Sequence, residues 1–342
     1  MKSKTVTNIS IVGCGAVAEL LYMPALMGIE NIKIKYLVDP NLGFCEVIKD
    51  KFNLKDTLCI DSIPSAENND DIALVLVPTG LHEYISSDCL NKGYHVICEK
   101  PLASNSMEVE NLIRISNDLN KHLGVGMARR FMPHNQVVKE LISNRSFGDI
   151  KRIYFEEGGA FSWPIKTIAR FDSSKSGNGA ALNGTASHLI DLILWWAGDS
   201  ITFEEFQDDS FGGLDINCRI KFKINNGVND IPVEGLISMT GDLKNNFIIF
   251  FDKSYLVVPI FPNEKIKLYD PLLKDYPFEF NPYSTKTEYN YDSIRRHIQK
   301  FINAVNGEKK QNNYIEGRTQ ISLTKLIDDA YSNRKKFDFS WM

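Results

Sequence analysis

A strand-like run, Asn8-Ile9-Ser10-Ile11-Val12, passes straight into Gly13-Cys14-Gly15-Ala16-Val17-Ala18 and then into a helical pattern. A glycine turn between a buried strand and a helix admits few folds. It marks the first step of a parallel sheet with crossover helices. The rest of the first third keeps that alternation. Strand patterns cover residues 32–38, 58–60, 72–77, 94–98 and 123–127, with a polar helix before residue 58. Helical patterns cover 17–27, interrupted near Pro24, then 82–92 and 106–121. This is a complete doubly wound α/β unit.

The pattern then changes. A helix is predicted over 137–144. Strands are predicted at 153–155, 216–224, 231–239, 247–251 and 255–258, joined through Asn-Gly, Gly-Asp and Asp-Lys turns that suit hairpins. An apolar helix, 187–196, interrupts them, and helical patterns return at 293–306 and 319–333. The second region therefore reads as α+β. Its open, mostly antiparallel sheet has helices on one face and leaves the other face to a second copy. The boundary falls between residues 126 and 127, giving domains 1–126 and 127–342.

Two domains suit a chain of 342 residues. The formal net charge is only −4 and the basic residues are dispersed, which argues against a nucleic-acid or membrane-surface partner. No signal segment is read at the start, and no apolar run reaches a spanning length; Asp191 interrupts Leu189–Ala197. The six cysteines form no CxxC pair, so neither a disulfide framework nor a metal site is expected, and the chain reads as cytoplasmic.

The turn Gly13-x-Gly15-x-x-Ala18 has the chemistry of a dinucleotide site, the mark of a Rossmann domain. Gly13 permits the tight turn, Gly15 lets a pyrophosphate approach the backbone, and Ala18 lets helix and strand close. The phosphates meet the helix N-terminus around Ala16 and Val17. Asp39 ends the second strand, where a carboxylate accepts bonds from ribose hydroxyls and repels a 2′-phosphate. Pro40 and Asn41 bring no cation to offset it, so NAD is expected over NADP. Pro78 and Thr79 close a strand at the carboxyl edge, where ligands sit in such folds. His82 opens the next helix, either touching the cofactor or bonding locally.

Cys98-Glu99-Lys100-Pro101 ends the strand of residues 94–98. The glycine turn, Pro78-Thr79-Gly80-Leu81-His82, Glu99-Lys100-Pro101, the stretch Gly126–Pro133 with Arg129-Arg130-Phe131, and His188-Leu189-Ile190-Asp191 follow in order. With these motifs the chain resembles the glucose–fructose oxidoreductase, inositol dehydrogenase and rhizopine-catabolism (Gfo/Idh/MocA) family over nearly its whole length. The resemblance implies NAD(P)-linked redox chemistry on sugars, nucleotide sugars or cyclitols, and homodimers or homotetramers. It departs from the family in one place. Where the family has an acidic residue four before the histidine, this chain has Gly184, and Asn183 lies five before His188, as though beside a one-residue insertion. Ala128 stands where the family often has Asn.

Oxidising a CHOH group needs a cation to stabilise the developing alkoxide and a base for its proton. Lys100 suits the first role. His188 suits the second, since an imidazole can both take and give a proton near neutral pH. Glu99 either pairs with Lys100 or touches the nicotinamide ribose, and Arg129 is a further cofactor candidate. His188, Asp191 and Trp195 share a helix face by spacing, so Asp191 either orients His188 or joins a buried network. Trp163 is a candidate wall for a sugar ring. Arg170 or Lys166 is placed to meet a substrate anion, and Asn183 to bind a hydroxyl. The expectation is an NAD-dependent oxidoreductase of a sugar-like alcohol or ketone whose lysine and histidine, from separate domains, converge on the nicotinamide. The alternative is a dinucleotide-binding regulator that has lost turnover.

Overall fold

The computed structural model of the chain describes residues 6–166, 172, 179–210, 213–261, 264–273, 276–282, 290–308 and 314–336. It divides into two compact units. One takes Met1–Ala128, Pro164–Gly177 and Tyr289–Ile321, and the other takes Arg129–Trp163, Asn178–Glu288 and Ser322–Met342.

The first unit is built on a six-stranded parallel sheet of order β3-β2-β1-β4-β5-β6. Its strands are β1 Thr7–Val12, β2 Ile32–Val38, β3 Leu58–Ile60, β4 Ile72–Val75, β5 His95–Cys98 and β6 Leu123–Val125. The strand order reverses between β1 and β4, so the carboxyl ends of these two strands flank the crevice where open α/β sheets bind ligands. Ile9, Ile11, Leu37, Leu74 and Ile97 are fully buried, as a sheet covered on both faces requires. The crossover helices are α1 Met23–Leu26, α2 Leu42–Lys51, α3 His82–Asn91 and α4 Ser106–Asp118. The helix predicted over 17–27 is divided. Ala18–Tyr22 form a π turn, with the Met23 N–H returning to the Ala18 carbonyl. Pro24 sits in the first turn of α1, where its missing N–H costs little.

The second unit is built on a nine-stranded sheet of order β14-β13-β12-β11-β7-β10-β9-β8-β15. Its strands are β7 Arg152–Gly158, β8 Ser200–Asp208, β9 Asn217–Asn225, β10 Asp230–Ser238, β11 Asn246–Phe250, β12 Tyr255–Pro259, β13 Ile266–Tyr269, β14 Phe278–Phe280 and β15 Lys335–Lys336. Pairing is antiparallel except between β7 and β10 and between β8 and β15. β8, β13, β14 and β15 were not predicted. β8 carries charge at its centre and a register break at Phe203/Glu205, and the other three are short and border the sheet's ends. One face is apolar and buried, through Phe155, Ile220, Phe222, Ile237, Phe247 and Ile249. Gly235 leaves room there for the ring of Phe155, which a Cβ would approach to 2.0 Å. The helices α5 Pro133–Ser143 and α6 Ser187–Ala197 belong to this unit, and Trp196 of α6 meets Phe247 edge-on at 5.0 Å.

α7 Asn290–Val305 belongs to the first unit, although it follows the last hairpins of the second. Its apolar face, Ile294, Ile298, Phe301 and Ile302, joins the core of the parallel sheet, and Gly124 of β6 gives room to the Phe301 ring. α8 Ile321–Ser332 lies, from Ser322 on, in the second unit. Among the described residues no helix is long and apolar enough to cross a membrane, and no cluster of His, Cys, Asp and Glu could hold a metal ion.

Candidate active site

The two glycines of the first turn are glycine for different reasons. Gly13 has φ +98°, and a Cβ there would lie 2.7 Å from the carbonyl of Leu76. The backbone itself demands glycine. At Gly15 a Cβ would meet nothing within 4 Å. No atom of the described residues needs that space, which is the opening a pyrophosphate uses when it approaches such a turn. Asp39 lies beside it. One carboxylate oxygen accepts the Cys14 N–H at 2.9 Å and the other accepts the Asn41 N–H at 2.9 Å. The carboxylate thus ties the glycine turn to the end of β2 and is only partly buried. Ala16 and Val17 are half-buried and Ala18 is fully buried, so the turn opens outward and packs inward. These residues fit a dinucleotide.

Lys166 also belongs here, although the sequence assigned it to the substrate. Its ammonium lies 2.8 Å from Glu19, 3.4 Å from the Cys14 carbonyl and 5.2 Å from the centre of the Phe44 ring. Lys51 pairs with the other Glu19 oxygen at 2.7 Å. The two ammonium groups hold the Glu19 carboxyl below the usual range.

Pro78 is exposed and Thr79 half-buried beyond the end of β4, at the same edge of the sheet as the glycine turn. His82 corrects an expectation. It is 1% exposed, and its ring nitrogens face the carbonyls of Pro101, at 2.5 Å, and Val77, at 2.9 Å. The ring braces these two loops and presents no nitrogen to a cofactor. Burial pushes its pKa down.

Glu99 and Lys100 follow β5 directly, and the Lys100–Pro101 peptide is cis. Lys100 is half-buried. The Glu99 carboxyl accepts the Lys100 N–H and the hydroxyl of Tyr22. Loss of water pushes Glu99 up, and Lys100 partly offsets this. Gly126 closes the group, since a Cβ there would lie 2.8 Å from the Tyr22 hydroxyl and 3.0 Å from Glu99. Tyr22 was not predicted as a site residue. Nothing local marks it, because its partner is many residues away and the π turn that carries it has no sequence signature.

In the second unit, Leu182–Ala186 form another π turn, in which the Ala186 N–H reaches the Ala181 carbonyl at 2.9 Å and the Ser187 N–H reaches Leu182. A turn closing on the fifth residue houses one residue more than an α turn. Asn183 lies within this turn, and His188 follows in the first turn of α6. Asn183 is buried and His188 is half-buried on α6. Asp215 anchors this segment by accepting the Ala180 N–H at 2.8 Å, the Leu182 N–H at 2.7 Å and the Tyr331 hydroxyl at 3.3 Å. Burial pushes its carboxyl up to about 6. Asp215 and Tyr331 were also missed by the sequence. Asp191 belongs to a buried network, with both oxygens bonded to Arg130 at 2.7 and 2.6 Å. Arg130 also lies over the Trp195 ring at 5.9 Å. Arg129, expected at the cofactor, places its guanidinium on Glu157 at 3.0 and 3.3 Å. Trp163 is exposed, and Arg170 lies outside the described residues.

Residues 7–127 match the model of a family described as "Oxidoreductase family, NAD-binding Rossmann fold". Glucose-6-phosphate 3-dehydrogenase of Bacillus subtilis (strain 168) is 24% identical over 306 residues, covering 87% of this chain and 78% of that protein. Among solved structures, a 3-ketoreductase from Actinomadura kijaniata, in complex with NADP and TDP-benzene, superposes with a TM-score of 0.79 at 15% identity, covering 97% of this chain and 99% of that one. An aldose-aldose oxidoreductase from Caulobacter crescentus, complexed with glycerol, gives 0.79 at 17% identity, with 96% and 97% covered. These two likenesses bear on the fold.

Proposed function

The chain belongs to the Gfo/Idh/MocA oxidoreductase family and is an NAD(P)-dependent dehydrogenase, and on that premise we propose that it interconverts a secondary alcohol and a ketone on a sugar, nucleotide sugar or cyclitol. The observation that carries this reading is the first unit's carboxyl edge. There the open side of Gly15, the carboxylate of Asp39 and the ammonium-bearing Lys100 all stand at strand ends of one sheet. When bound, a nicotinamide dinucleotide supplies the hydride acceptor or donor. Gly15, Ala16 and Val17 would hold its phosphates, and Asp39 would hold the adenosine ribose, which favours NAD. Lys100 stabilises the oxyanion that forms as the substrate hydroxyl loses its proton, His188 takes that proton, and Asn183 holds a hydroxyl. An amide cannot act as the base, so the acid–base work falls to His188. Trp163 is a wall for the sugar ring.

We also propose a homodimer or homotetramer formed through the second unit's sheet. Ile248, Phe250, Tyr255, Val257 and Tyr269 are half-buried on the face opposite Phe247 and Ile249. Tyr255 and Tyr269 stack there at 4.5 Å. Light scattering of the purified chain tests this, and a monomer would count against it.

The deciding experiment mixes the protein with NAD or NADP and a panel of sugars, sugar phosphates, nucleotide sugars and cyclitols, and follows nicotinamide reduction. Turnover with one panel member is expected, and faster with NAD. Tight dinucleotide binding with no turnover across the panel would sink the dehydrogenase reading.

A further inference from the structure

Lys166 comes only three residues after Trp163 of the second unit, yet it belongs to the first. The ammonium of Lys166 bonds the carbonyl of Cys14, the residue between the two turn glycines, and pairs with Glu19.

On Glu19 itself two cations share one acid. Glu19 is one carboxylate, and Lys51 already pairs with one of its oxygens at 2.7 Å. Lys166 is a second cation on the same acid and also bonds the Cys14 carbonyl, and with Asp39 on the Cys14 N–H it sets two cations against two carboxylates around the turn. A carboxylate in the first helical turn suits the helix dipole, but it repels any other anion brought to that helix end. Lys166 opposes that repulsion. Its side chain is 23% exposed, and a lysine head on a four-carbon stem can move between partners without backbone change. Pro40 and Asn41, next to Asp39, supply no cation, so this charge comes to the turn from a segment far along the chain.

We propose that Lys166 is a phosphate ligand of the bound dinucleotide, and that Glu19 competes for it in the empty protein. The proposal rests on the dinucleotide-binding reading and adds to it a residue outside the Rossmann segment. The phosphate is the diphosphate common to both cofactors or the 2′-phosphate of NADP. In the second case Lys166 offsets the discrimination exerted by Asp39.

The test is equilibrium binding of NADH, NADPH and ADP-ribose to the wild type, Lys166→Met, Lys166→Arg and Glu19→Gln, by calorimetry or nicotinamide fluorescence. Losing one charge-assisted hydrogen bond should weaken binding by about tenfold or more in Lys166→Met. A loss shared by all three ligands assigns the diphosphate, and a loss confined to NADPH assigns the 2′-phosphate. Either supports the proposal. Lys166→Arg, which keeps the charge, should bind nearly as well as the wild type, and Glu19→Gln should bind a few-fold tighter because its competitor is gone. Equal affinities of wild type and Lys166→Met for all three ligands would overturn the proposal. So would an equal loss in Lys166→Arg, since packing would then explain the effect. Unchanged or weaker binding in Glu19→Gln would overturn the competition. A wild type that binds none of the three ligands would instead sink the dinucleotide-binding reading itself.

Discussion

In the first unit a tyrosine on a π turn, Tyr22, gives its hydroxyl to Glu99, the residue before Lys100. In the second unit a tyrosine from α8, Tyr331, gives its hydroxyl to Asp215, which accepts the backbone N–H groups of Ala180 and Leu182 at the start of another π turn. Both acids are pushed up by burial. Their neighbours differ. Glu99 stands beside the lysine assigned to the chemistry, and Asp215 feels another acid, Asp208. The first carboxyl can therefore tune a charge, whereas the second shapes backbone. Asp215 takes two backbone N–H groups at its turn, whereas Glu99 takes a side-chain hydroxyl from its own.

Four predictions would break or sharpen that contrast. The largest effect belongs to the chemistry: Lys100→Met and His188→Ala should each lower turnover by about 100-fold or more, while dinucleotide affinity changes far less. Near-normal turnover in either variant, on the true substrate, removes that residue from the mechanism. Next is the backbone anchor. Asp215→Ala strands two buried N–H donors and should cost about 2–5 kcal/mol, read by urea unfolding. A loss under about 0.5 kcal/mol, within the range of ordinary surface changes, would mean Asp215 holds nothing.

The third prediction uses pH. The Asp215 carboxyl sits at about 6, above its ordinary 3.8, so the folded chain binds this proton more tightly than the unfolded chain. Its contribution to stability is full below the ordinary value and is lost as pH rises through about 6. Asp215→Asn should remove that slope, and an unchanged slope in a pH series of denaturation curves would reassign it. The smallest effect is expected at Tyr22. Tyr22→Phe deletes a donor that favours the Glu99 anion, so Glu99 rises further. The acid limb of the pH–rate profile should then move up by as much as about one unit, with recovery at higher pH. A loss of rate equal at every pH would make Tyr22 a packing residue only.

Much of the first unit was legible in the chain. β2 and β3 fall where alternation and apolar runs place them, and Gly13, Gly15 and Asp39 sit together as turn chemistry requires. Lys100 follows β5 as expected. The second unit was legible only in its regular hairpins. β8 hid because a register break interrupts its alternation, and β13 and β14 hid because three or four residues carry too little periodicity. His82 was misread in part because a helix-start histidine looks the same from sequence whether it faces a ligand or two carbonyls.

Local order alone determined the strand–turn–helix unit, the dinucleotide turn and the placing of Lys100 at a strand end. Periodicity and turn preferences act between neighbours a few residues apart. Only the tertiary structure brought Lys166 to the glycine turn, set Asp215 and Tyr331 beneath the entry to the second π turn, and added α7 to the first unit's core. Each of those contacts joins residues far apart in the chain, and a charge or hydroxyl carries no local mark of the distant partner that satisfies it.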